Sequence, residues 1–168
     1  PDPEVEKPLT QIRLSTLNQL SSEHIISSSL PFYEALALHC FTNEYVFLES
    51  NEETIKVDHL ENEISMHISS KELTPVLKIT VLAAYRPLHL FSWADQLLQS
   101  DSTDKIQRIL IKQITEVREE QRLRSQIPQI NVTENKVSKV VREQYEENPY
   151  PRWINLGLST EPKTIRSV

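Results

Sequence analysis

The sequence predicts an all-α fold, an orthogonal bundle of roughly six to eight helices followed by an extended segment rich in proline and aromatic residues. Three observations carry that expectation. Apolar residues recur at i, i+3, i+4 and i+7 along most of the chain, the spacing that gathers them on one side of a helix. Residues able to bond the first N–H groups of a helix stand at Ser29, Ser50, Thr74 and Thr133, each ahead of an apolar run. The chain has one glycine, Gly157, and ten prolines. Hairpin-built barrels and sandwiches draw on glycine for turns with positive φ, and this sequence lacks the supply.

The first helix is expected from about Glu4 to Leu20, with Leu9, Ile12, Leu17 and Leu20 on one side. Pro8 falls in its first turn or just before a shorter helix, where a missing N–H costs little. After the linker Ser27-Ser28-Ser29, Ser29 caps a second helix opened by Leu30 and Pro31. Its core stripe is Tyr33, Leu36, Ala37, Cys40 and Phe41. Ser50-Asn51-Glu52-Glu53 has the form of a capping box, in which the Ser and Glu side chains bond each other's backbone N–H. The helix it opens directs Ile55, Leu60, Ile64 and Ile68 to the core. Thr74-Pro75 starts the next, and the run from Val76 to Tyr85 is apolar nearly all round. Its β-branched residues also suit a buried strand; its length and its Thr-Pro start favour a central helix.

Beyond Pro87, residues 88–98 are expected to form a short helix with Trp93, Leu97 and Leu98. The polar turn 100–104 precedes a helix of about 20 residues through Ile106, Ile109, Leu110, Ile114 and Val117. Pro128 marks a loop. Thr133-Glu134-Asn135-Lys136 opens a last helix that packs Val137, Val140 and Val141 inward and ends near Tyr145. The chain thus divides into a helical domain, 1–146, and an extended segment and linker, 147–168.

At 168 residues the chain has one domain's length and can bury roughly 70% of the surface its unfolded form exposes. Gly157 alone cannot build a Rossmann or P-loop phosphate turn, where a Cβ blocks the backbone's approach. Cys40 is the only cysteine. That excludes a disulfide framework and a thiolate zinc cluster, and it fits a reducing, cytoplasmic compartment. No apolar run reaches the roughly 18 residues of a membrane helix, and no signal peptide is visible, so no membrane is expected. The chain opens on Pro1 and is taken as a piece of a longer protein.

The net charge of −6 divides unevenly. Residues 1–117 hold 9 Lys and Arg against 17 Asp and Glu; residues 118–168 hold 9 against 7. An acidic body argues against a nucleic-acid partner, which needs a basic face. The basic residues of the tail, from Arg118 to Arg152, either face something anionic or form a solvated mixed-charge surface.

The histidines are His24, His39, His59, His67 and His89. No two are four apart, so no helical zinc pair forms; His59 and His67 share a face but lie two turns apart. His39 and Cys40 are adjacent, and adjacent helix positions point about 100° apart, which does not make a nucleophile pair. The pairs Glu52-Glu53, Glu119-Glu120 and Glu146-Glu147 read as solvated surface. No catalytic residue and no metal ligand is assigned.

Two aromatic clusters remain. Phe41, Tyr45 and Phe47 gather at the end of the second helix, either packing that end or forming a docking surface. Tyr145, Tyr150 and Trp153 lie with Pro149, Pro151 and Arg152 inside nine residues. Pro149 and Pro151 disfavour helix at Asn148 and Tyr150, so this stiff strip suits lining a pocket or lying across a partner.

The stretch Val141-Arg142-Glu143-Gln144-Tyr145-Glu146-Glu147-Asn148-Pro149-Tyr150-Pro151-Arg152-Trp153 resembles a segment of a family of bacterial class I S-adenosylmethionine-dependent methyltransferases. Many of these carry tetratricopeptide repeats upstream; the repeat's own pattern of Trp, Leu-Gly and Tyr is missing from this sequence. Leu36–Phe47 and Ala83-Ala84-Tyr85-Arg86-Pro87-Leu88 resemble two further signatures of the same helical region, which precedes the catalytic Rossmann-like domain. The resemblance spans roughly residues 1–157.

It implies a non-catalytic helical domain that shapes or positions the acceptor substrate. The parent enzyme's cofactor, S-adenosylmethionine, is held in the family by a downstream Gly-rich motif and an acidic residue. No cofactor residue is therefore assigned in this chain. The implied partner is the downstream catalytic domain of the same chain, and the implied docking or substrate-facing residues are Tyr145, Asn148, Tyr150, Arg152 and Trp153. The alternative is a protein-interaction module, an adaptor whose aromatic clusters dock a protein partner.

Overall fold

Helical spacing becomes helix over most of the residues that the computed structural model describes, which are 3–20, 29–70, 75–127, 140–141 and 144. Among them the fold is all-α, without a strand. The chain divides into two compact units, Pro1–Ile127 and Pro128–Val168. The second begins at the proline that the sequence marks as a loop.

In the first unit, α1 spans Pro3–Gln19 with Pro8 inside it. Pro8 lies at the sixth position, beyond the first turn where a proline costs least. Leu17 is buried and Leu9, Ile12 and Leu20 pack partly against the core, as their spacing predicts. Arg13 and Thr16 are buried with them.

Helix α2, Leu30–Thr42, buries Leu36, Ala37 and Cys40. Ser29 precedes it but makes no side-chain cap bond. Its backbone is already helical (φ −92°, ψ −4°), whereas a capping serine needs an extended backbone, and Pro31 has no N–H to offer the hydroxyl. The far end closes in a Schellman pattern. Tyr45 N–H donates to Cys40 O at 3.0 Å and Glu44 N–H to Phe41 O at 3.1 Å. That geometry needs a left-handed residue, which glycine usually supplies; here Glu44 (φ 53°) and Tyr45 (φ 56°) adopt it.

Helix α3, Asn51–Ser69, begins with the capping box that the sequence spells: Glu53 N–H to Ser50 Oγ at 3.2 Å, Ser50 N–H to Glu53 Oε2 at 2.9 Å. It buries Val57, Leu60 and Ile64. Ile55 does not reach the core and is 69% exposed. At 100° per residue Ile55 stands half a circle from Ile64, so one stripe cannot hold both. Val57 takes the place expected for it.

Helix α4, Val76–Ala83, follows an extended Pro75 and buries Ile79 through Ala83. It packs against α2, α3 and α1, the central position expected for an all-round apolar run. Residues 88–98 do not form one helix. Leu88–Leu90 is a 3-10 turn, Phe91 is extended, and α5 is the short Ala94–Leu97. Trp93 and Leu97 are buried as expected; Leu98 is half-exposed.

The expected long helix runs from residue 101 to 124 in four stretches: a 3-10 start (Asp101–Ile106), α6 (Gln107–Leu110), a π turn (Ile111–Thr115) and α7 (Glu116–Arg124). Ile106, Ile109, Leu110 and Ile114 are buried, and α7 buries nothing. No helix of the described residues is long and apolar enough to cross a membrane.

In the second unit Val140, Val141 and Gln144 are helical, within the last helix that the sequence predicts. Val140 and Val141 are exposed rather than packed inward. Thr133, Val137 and the Tyr145–Trp153 strip lie outside the described residues.

Candidate functional site

The five residues that the resemblance singles out, Tyr145, Asn148, Tyr150, Arg152 and Trp153, all lie outside the described residues. The first unit instead presents two polar clusters built by its own helices.

One is internal. Arg13 of α1 is buried, and its Nη2 donates to Leu48 O at 2.8 Å. The guanidinium carbon lies 4.2 Å from the Tyr85 ring centroid and 5.3 Å from that of Phe47. Tyr85 donates its hydroxyl to Glu53 Oε1 at 2.9 Å. Burial raises the Tyr85 hydroxyl's pKa, with the Glu53 bond adding to it, so the phenol stays protonated. Beside it, Arg86 grips Glu49 through both nitrogens, at 2.7 and 2.6 Å. The Arg86 bond holds the Glu49 carboxyl below its usual range, with Thr54 assisting.

The same interior holds Gln113, buried within the π turn. Its Oε1 accepts from Leu88 N–H at 3.2 Å, and its Nε2 donates to Ala83 O at 3.0 Å and Ala37 O at 3.4 Å. Tyr45 also donates to Ala83 O, at 3.1 Å. Burial raises the Tyr45 pKa as well. The Phe41–Phe47 cluster therefore packs the end of α2 through Tyr45 and Phe47, while Val46 and Leu48 stay exposed.

His39 and Cys40 diverge as adjacent positions should. His39 Nε2 meets Asn43 Nδ2 at 3.0 Å and Glu6 Oε1 at 3.6 Å. Cys40 is fully buried, and burial pushes its thiol up to about 11 against the pull of Arg13, so no thiolate nucleophile is available at neutral pH.

The second cluster lines an open cavity of about 260 Å³ between α1, α3 and α4. Lys56 Nζ donates to Asn18 Oδ1 at 2.8 Å, linking α3 to α1. Lys78 Nζ reaches Glu63 Oε2 at 2.8 Å, and His59 Nδ1 lies 3.4 Å from Glu63 Oε1. The Lys78 bond is the main cause of a lowered Glu63 pKa.

Neither Arg13 nor Gln113 figures in a reading of apolar stripes, yet both carry a positional signal. Arg13 stands four residues from Leu9 and from Leu17; Gln113 stands four from Ile109 and three from Leu110. A polar residue in register with an apolar stripe is a candidate buried clamp.

Comparison with protein families, with curated proteins and with solved structures finds no match to the chain. The fold and its interior define an all-α scaffold whose buried polar side chains tie backbone segments together.

Proposed function

We propose that the chain is a non-catalytic helical domain of a bacterial S-adenosylmethionine-dependent methyltransferase that shapes or positions the acceptor substrate. The observation that carries this reading is the Gln113 clamp. It bonds the 101–124 rod to α2, to the end of α4 and to the Leu88 N–H, with all three bonds buried. That rod precedes in sequence the 141–153 stretch on which the resemblance rests most firmly. A rod held by buried bonds fits a scaffold role, in which polar side chains tie backbone segments together. The buried phenols and the buried thiol keep their protons at neutral pH, and the phenols bond Ala83 O and the Glu53 carboxylate.

The test is calorimetric. The 168-residue chain is expected to give no S-adenosylmethionine binding heat, and the chain extended by its downstream coding sequence is expected to bind it. Micromolar binding by the 168-residue chain alone overturns the reading. An adaptor role is favoured by one feature, Leu48, which is 87% exposed while Arg13 holds its backbone carbonyl. A fixed, protruding leucine suits a protein partner's pocket. Retained methyl transfer by the extended chain carrying Leu48→Ser would count against that role.

A further inference from the structure

The cavity between α1, α3 and α4 has a chemistry that a scaffold does not use. Lys56, His59, Leu60 and Glu63 fall at i, i+3, i+4 and i+7 of α3, one helix face. Lys78 comes across from α4 and Asn18 from the end of α1. The floor is apolar: Leu17 and Leu60 are buried, and Leu20 is half-buried beside them.

The charges of the wall do not cancel. Glu63 is shared, one carboxylate oxygen on Lys78 and the other facing His59. Lys56 is bonded to the neutral amide oxygen of Asn18, and no carboxylate of the described residues lies within ion-pair distance of it. Two lysines thus face one carboxylate, before any protonation of His59. This positive excess stands in the part of the sequence where acids outnumber bases 17 to 9.

We propose that this cavity binds a small organic anion, an oxyanion head on a short aliphatic body. The head takes the uncompensated Lys56 ammonium with Lys78 and His59 close by, and the body lies on Leu17, Leu20 and Leu60. An ammonium is a compact charge with three donors and accepts either a carboxylate or a phosphate. At about 30 Å³ per water-sized group, the cavity takes roughly nine such groups, the size of hexanoate or butyl phosphate. The site is independent of the methyltransferase reading and needs no S-adenosylmethionine.

The experiment follows amide NMR shifts of the nitrogen-15-labelled 168-residue chain on adding hexanoate, butyl phosphate or inorganic phosphate at low salt. Saturable shifts are expected at the end of α1, on α3 and on α4, with a Kd of about 1 mM for so small a ligand. Whichever organic anion binds more tightly identifies the head group. Lys56 is exposed, so Lys56→Gln leaves the melting temperature unchanged and weakens binding about fivefold or more, while Lys56→Arg retains it. Salt at about 0.3 M weakens binding as well. Shifts that do not saturate, or that persist unchanged in Lys56→Gln, overturn the site. Inorganic phosphate binding as tightly as butyl phosphate overturns the role of the apolar floor.

Discussion

The Arg13 guanidinium carbon lies 4.2 Å from the centroid of the Tyr85 ring, both side chains buried, with the Tyr85 hydroxyl bonded to Glu53 on its other end. A buried cation is costly unless it is bonded and well placed. Here the ring faces of Tyr85 and Phe47 and the Leu48 carbonyl receive it. The contact also joins α1 to the turn after α4 and to the loop before α3, three segments far apart in sequence.

Arg13→Ala is therefore expected to lose about 3 kcal/mol in urea unfolding, combining a desolvated cation–π contact with a charged hydrogen bond. Arg13→Lys should keep part of that, because an ammonium lacks the flat fork that stacks on the ring. A loss for Arg13→Ala within about 0.5 kcal/mol, typical of surface substitutions, would show that the cluster contributes nothing.

Gln113→Leu keeps the volume of the side chain but leaves Leu88 N–H without its acceptor and takes one bond each from Ala37 O and from Ala83 O, the latter keeping Tyr45. Buried groups deprived of a partner cost about 1–3 kcal/mol each and do not add fully. A total near 3 kcal/mol corresponds to a melting temperature about 9 °C lower for a chain of this size. An unchanged melting curve would remove Gln113 as the clamp of the 101–124 rod.

The Ser50–Glu53 box and the central α4 were legible because they rest on neighbours in sequence. A cap needs a residue three positions away, and an all-round apolar run needs only its own composition. The spacing of Arg13 and Gln113 marks burial, but their partners Leu48, Ala37 and Ala83 were not legible, standing 35, 76 and 30 residues away. Ile55 misled for a different reason: it is apolar and near the stripe in number, but not in angle. The end of α2 hid because its left-handed turn uses Glu44 and Tyr45 where a glycine would have announced it. Of the cavity, the α3 face was readable as spacing, but the approach of Lys78 and Asn18 is tertiary.

That turn makes its own prediction. A non-glycine residue in the left-handed region costs about 1 kcal/mol. Glu44→Gly relieves the strain, partly offset by the extra freedom glycine brings to the unfolded chain. The expected result is a gain of about 0.5 kcal/mol in chemical unfolding. A loss of stability would mean that the Glu44 side chain contributes more than its backbone costs.

The Glu49–Arg86 pair sets a pH dependence. Its Arg86 bond lowers the folded pKa of Glu49, and the raised Arg86 pKa is the same interaction seen from the other side, counted once. A depressed carboxyl stabilises the fold above its unfolded pKa, about 4.3, and that contribution fades as pH falls through the folded value. The stability difference between wild type and Glu49→Gln should be about 1 kcal/mol at pH 7, for a bidentate but partly exposed pair. It should shrink toward zero in acid. A difference that is flat from pH 7 to pH 3 would contradict the pairing.

Trp153 separates the docking reading from one in which the strip packs on its own bundle. A proline disfavours helix in the residue before it, here Asn148 and Tyr150, which limits the entropy that a docking strip would lose. Arg152 keeps its charge at any physiological pH and offers a fork to a carboxylate or phosphate. On the proposed reading, Trp153 faces the catalytic domain or its substrate. Trp153→Ala should then leave the melting temperature of the 168-residue chain within about 2 °C of wild type. In the extended chain it should lower methyl transfer by raising the KM of the acceptor, with S-adenosylmethionine affinity retained. If Trp153 instead fills a core, the 168-residue chain itself loses roughly 3–5 kcal/mol, as aromatic-to-alanine changes in cores do. A strongly destabilised 168-residue chain would therefore remove Trp153 from the docking surface, whatever the extended chain does.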